Sequence, residues 1–144
     1  MIPLGLAAGA IAGAIMLFLS HIAPYVGAGD YVRDFDEPFV FRREITRREA
    51  HVLGVLVHIL MTAAFGGLFV YLVQMGIFPD AGILSILEWG LIVTLFMGGI
   101  VMPIEGHGLF GVREDSWFPF DLLMTEILWA AIFWWILNLW PGAV

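Results

Sequence analysis

Cysteine is absent from this chain, and so is lysine. The first absence excludes disulfides, thiolate metal sites and covalently attached c-type haem. Charge is scarce as well. Only 13% of the 144 residues are charged and 61% are hydrophobic, whereas a soluble domain is about 25% charged and about 45–50% apolar. So little polar surface cannot clothe a water-soluble globule, which excludes an ordinary cytosolic enzyme and a disordered tail. The formal net charge is −7, the wrong sign for a polyanion, so no nucleic-acid partner is expected. There is no P-loop, no HExxH and no GxSxG motif.

What is present is hydrophobic length. Four apolar runs, at about residues 2–22, 50–73, 82–103 and 119–140, each reach the roughly 20 helical residues needed to cross about 30 Å of hydrocarbon. They are continuously apolar, not alternating, so they read as helices and not as strands of a barrel. The expected fold is all-α, a polytopic four-transmembrane-helix bundle forming one membrane domain over residues 1–144. The first run has no Lys or Arg before it and exceeds a signal peptide's apolar core, so it reads as a permanent helix.

All six basic residues are Arg. Arg33, Arg42, Arg43, Arg47 and Arg48 lie between the first and second runs, and Arg113 lies between the third and fourth. The positive-inside rule then puts the 23–49 and 104–118 loops in the cytoplasm and both termini outside. Tyr25, Tyr31, Phe35, Phe39, Phe41, Trp117 and Phe118 fall at the inner interface and Trp140 at the outer one, the usual aromatic-belt positions. The long 23–45 connector reads as a solvated loop whose aromatics rest on the bilayer, or as a lid or docking segment.

The joints fit. Thr46-Arg47-Arg48-Glu49 matches a capping box before the second helix. Gly76 and Pro79 end that helix. Ser116 is placed to cap the fourth helix with Pro119 in its first turn, and Pro141-Gly142 ends it. Gly5, Gly9 and Gly13 form a small-residue stripe on the first helix. It suits close backbone approach, either within the bundle or between copies of the chain, and the former is the preferred reading. Gly66-Gly67 and Gly98-Gly99 offer matching surfaces.

Ionisable groups in a span are costly and each needs an account. All four His and four of the acids gather toward the inner leaflet. His21 ends the first helix. Glu49 and His51 open the second, Glu105 and His107 close the third, and Asp121 opens the fourth. His58 and Glu126 lie deeper, at matched depth, and are expected to form a polar pair. Glu88 lies in the outer half of the third helix with no evident partner. His51, His58, Glu105, His107 and Glu126 form a candidate site for Zn, Mn or Fe, because imidazole and carboxylate suit those ions. Two residues apart on a straight helix point about 200° apart, so neither Glu-x-His triplet chelates alone. His51 and His58 project from one face and cannot clasp one haem. No cofactor is expected. Trp129, Phe133, Trp134 and Trp135 read as lipid-facing bulk, or as a flat wall for a quinone. Gly106-His107-Gly108-Leu109-Phe110-Gly111 has dinucleotide-like glycine spacing but follows a membrane helix and not a strand. Its glycines are expected to let the backbone turn sharply.

The Gly/Ala-rich first helix, the His-bearing second and the run Met102-Pro103-Ile104-Glu105-Gly106-His107-Gly108-Leu109-Phe110-Gly111 together resemble a family of small prokaryotic inner-membrane proteins, loosely YagU-like. The resemblance implies a four-helix inner-membrane protein and no particular reaction. The expected function is a non-catalytic or accessory bundle, in lipid, as a homo-oligomer or within a larger membrane complex. The alternatives are a proton-coupled transporter or channel using His58 and Glu126, and a metal-dependent membrane enzyme.

Overall fold

A computed structural model describes residues 1–22, 39–40, 43–44, 46–113 and 116–140. Most of the 23–45 connector, with its expected interfacial aromatics, and the Pro141-Gly142 stop lie outside the described residues. The elements are α1 (Ile2–Ile22), β1 (Phe39–Val40), β2 (Arg43–Glu44), α2 (Arg47–Gln74), α3 (Ile83–Phe96), α4 (Met102–Glu105) and α5 (Phe118–Asn138). The two strands form a minimal antiparallel ladder, Phe39 opposite Glu44 and Val40 opposite Arg43. A π-helical turn, Met97–Val101, joins α3 to α4 without a break in direction, so the pair acts as one rod. Among the described residues, four helices are long and apolar enough to cross a membrane: Ile2–Ile22, His51–Gln74, Ile83–Ile104 and Phe118–Asn138.

The helix ends show why the rods start and stop where they do. At α2 the capping box closes. The Thr46 amide donates to Glu49 Oε2 at 2.9 Å, and the Glu49 amide donates to Thr46 Oγ1 at 3.2 Å. Two amides that would otherwise be orphaned in the first turn are thereby satisfied. The other end of α2 closes on Gly76, whose φ is 74°. Its amide donates to the Val73 carbonyl and that of Ile77 donates to the Leu72 carbonyl, both at 3.0 Å. This is the Schellman pattern, which needs a left-handed residue and so favours glycine. Asp80 organises the entry to α3, accepting from the Gly82 amide at 2.7 Å and the Ser85 hydroxyl at 3.3 Å. At α5 the expectation for Ser116 needs correction. Trp117, not Ser116, occupies the N-cap, and it makes no side-chain capping hydrogen bond. Pro119 in the first turn lacks an amide proton, so one fewer donor there needs a partner.

Packing is uneven. Helix α1 lies along α2 and also along α5, α3 lies along α5, and α2 touches α3 lightly. The α1–α2 seam is made by the small-residue stripe. A methyl group on Gly5 would stand 2.6 Å from the Gly66 carbonyl oxygen, and one on Gly9 or Gly13 would run into Thr62. Gly5, Gly9 and Gly13 therefore face Thr62, Gly66 and Val70 of the same chain. In lipid, where apolar tails compete equally, such close backbone approach is what favours helix association. The expected use of Gly98-Gly99 as a helix-packing pair fails. Gly98 is covered by the Phe110 ring, and nothing stands within 4 Å of a methyl group placed on Gly99.

The centre is aromatic. Phe69 and Phe133 are fully buried, with ring centroids 5.8 Å apart in an edge-to-face arrangement. Trp89 of α3 lies 6.2 Å from Phe69 and 6.3 Å from Phe65, so rings bridge the gap between α2 and α3. Trp129 stacks on Phe133 at 5.2 Å. The four-ring wall on α5 is thus divided. Trp129 and Phe133 are buried, whereas Trp135 is exposed. The physical reason is the helical repeat, which puts 129 and 133 on one face and swings 135 round to the far one. Outside this core each rod presents large apolar side chains, among them Phe18, Leu60, Leu84, Leu95 and Ile104. A protein surface in water rarely carries that much contiguous apolar area.

Candidate functional site

Polar side chains inside the four rods are mostly turned back on their own helices. Thr62 Oγ1 donates to the His58 carbonyl at 2.9 Å, Thr94 Oγ1 to the Gly90 carbonyl at 2.9 Å, and Thr125 Oγ1 to the Asp121 carbonyl at 2.8 Å. Asn138 does the same to Trp134 at 2.8 Å. Each donor is satisfied one turn back along its own helix.

His58 and Glu126 are different. The two are not hydrogen-bonded to each other, and His58 Nε2 is buried with no hydrogen-bond partner among the described residues. The expected pair is therefore open, for two reasons. The first is facing. His58 meets the backbone of Gly13 on α1, while a methyl group on Gly90 of α3 would stand 3.4 Å from the Glu126 carbonyl. The residues address different neighbours. The second is depth. Phe69 and Phe133 meet at one level, yet His58 lies eleven residues before Phe69 and Glu126 only seven before Phe133. At 1.5 Å per residue His58 sits about 6 Å further from that level.

Sequence reasoning missed two further groups. The indole nitrogens of Trp89 and Trp129 are buried without an acceptor among the described residues. Tryptophan in a uniformly apolar run looks like bulk, and nothing in its spacing distinguishes a starved N–H from a lipid-facing one.

The metal candidates with described side chains form no set of three. Among the described residues no group of three or more His, Asp and Glu could hold a metal ion. His51, His58, His107 and Glu126 thus make no such set, and the Glu105 side chain lies outside the described residues. His51 stands beside His21, with ring centroids 5.9 Å apart. His107 sits in the turn after α4, where its amide donates to the Met102 carbonyl at 3.0 Å and its carbonyl accepts from the Arg113 amide at 3.1 Å. Glu88 is exposed on α3.

The turn that carries His107 is a run of left-handed residues. Gly106, Gly108, Phe110 and Gly111 have φ of 93°, 79°, 53° and 72°. The glycines bend the backbone sharply, as their spacing suggested. Phe110 is the exception to the glycine preference. Its ring covers Gly98 in the π-helical turn. A left-handed non-glycine and a π-turn each cost backbone energy, and here one rests on the other.

No family model, curated protein or solved structure matches the chain.

Proposed function

We propose that the protein is a non-catalytic, multi-pass membrane bundle of the prokaryotic inner membrane, working by association with lipid, with further copies or within a larger membrane complex. One observation carries this reading. Thr62, Thr94 and Thr125 donate to carbonyls of their own helices, and the centre is filled by Phe69, Phe133 and their neighbours. The polar chemistry of the interior thus serves helix geometry and leaves little to address a substrate. The Arg distribution supports termini outside and both Arg-bearing loops in the cytoplasm. The likeness of the Met102–Gly111 run to YagU-like proteins agrees with a four-helix inner-membrane protein and is silent on any reaction.

The test is reconstitution in liposomes with an entrapped pH indicator, wild type beside a His58→Ala, Glu126→Gln double variant. Equal proton permeability, with circular dichroism unchanged, supports the bundle reading. A wild-type proton leak abolished in the variant overturns it. That outcome would establish the second reading, a proton-coupled transporter or channel. The open His58 Nε2 favours that alternative, because intramembrane ionisable groups mark ion pathways by default. The exposed faces suit it too, since a second copy would help to enclose a path.

A further inference from the structure

The α1–α2 seam has a constant register. Gly5 meets Gly66 and Val70, Gly9 meets Thr62 and Gly66, and Gly13 meets Thr62. Each step of about four residues forward on α1 is a step of about four back on α2. The same register, carried past Gly13, brings the end of α1 against the start of α2. There His21 and His51 stand with ring centroids 5.9 Å apart and planes at 70°. Backbone contact between small residues leaves the seam little freedom to slide, so the two imidazoles are held opposite each other by contacts deep in the bundle.

The chemistry of His21 is already sorted. His21 Nδ1 lies 3.1 Å from the Leu17 carbonyl. A carbonyl only accepts, so Nδ1 carries the proton, and in the neutral ring Nε2 is left with its lone pair. Metal-ligating histidines are commonly prepared in this way, the far nitrogen donating to a backbone carbonyl to fix tautomer and ring orientation. Imidazole nitrogens sit about 2.0–2.1 Å from zinc. Two rings sharing one ion through such bonds have centroids roughly 4.5–6.5 Å apart, depending on the angle at the metal. The observed separation falls inside that span. His21 is exposed and His51 half-buried, so an ion can arrive from water and keep water in its remaining positions.

We propose that His21 and His51 form a two-histidine site for a divalent transition-metal ion, with Zn²⁺, Ni²⁺ and Cu²⁺ the ions that imidazole suits. The site staples the end of α1 to the start of α2 across the connector between them. It is distinct from the deeper His58, which lies seven residues further along α2 and faces Gly13.

The experiment uses the full chain without an affinity tag, stripped with chelator in detergent, and Zn²⁺ alone as probe, read by competition with a zinc-sensitive dye. Wild type is expected to bind one equivalent per chain. His21→Ala and His51→Ala should each weaken binding by about tenfold or more, and His107→Ala by less than about twofold. His21→Asn is the second variant. It keeps a polar group at an exposed position and should lose zinc equally, and circular dichroism checks that each variant is folded. Zinc binding of unchanged affinity in His21→Ala and His21→Asn overturns the proposal. So does a wild type that takes up no zinc, or a loss confined to His107→Ala.

Discussion

The two seams flanking α2 are built on opposite principles. Toward α1, backbones touch. Gly5, Gly9 and Gly13 leave no room for a methyl group against Thr62 and Gly66. Toward α3, backbones stand apart and rings span the gap, Phe65 and Phe69 reaching Trp89, and Phe65 reaching Phe96. The first seam gains many small contacts at short range and tolerates no added volume. The second concentrates its contacts in a few large side chains and tolerates no lost volume. In lipid, where burial from water does not drive helix against helix, both are ways of making protein fit protein better than it fits acyl chains.

That contrast yields three sets of measurements of unfolding free energy in mixed micelles. The largest effect is expected at the ring-bridged seam. Phe69→Ala removes a fully buried ring that touches Phe78, Trp89 and Phe133, and should cost about 3–5 kcal/mol. A loss below about 1 kcal/mol would mean the aromatic bridge is not what joins α2 to α3. At the glycine seam the sign of the volume change reverses. Gly9→Val should cost about 1–3 kcal/mol through overpacking, and Gly5→Val similarly. A neutral Gly9→Val would show that the two backbones do not touch. The smallest effects separate two adjacent glycines in the π-helical turn. Gly99→Ala meets open space and should stay within about 0.5 kcal/mol. Gly98→Ala must displace the Phe110 ring and should cost about 1–2 kcal/mol. Equal effects at 98 and 99 would deny Phe110 its place over the turn.

Much of this molecule is local and was therefore legible. Thr46 and Glu49 form their capping box from four consecutive residues. Gly106, Gly108 and Gly111 announced a sharply turning backbone, which their positive φ values supply. The small-residue stripe on α1 was visible as a spacing. Other features depend on which helix stands beside which. His58 and Glu126 looked like partners because each was placed by depth on its own rod, yet Gly13 and Gly90 are the neighbours their helices present to them. Trp129 and Trp135 looked alike, but one is interior and the other faces out. His21 and His51 drew no attention as a pair, since thirty positions separate them in the chain.

Composition and pattern alone determined the helices, their lengths, most of their stops, and an apolar character that calls for lipid. The tertiary structure decided the pairing: α1 against both α2 and α5, the open His58, the two buried indoles, and the meeting of His21 with His51. The reason lies in the rods themselves. A helix in water declares its buried side by an apolar stripe on a polar cylinder. These four are apolar nearly all the way round, so no stripe states which side faces in. Only the fit of glycine against backbone and ring against ring tells protein from lipid, and that fit exists only once the helices have met.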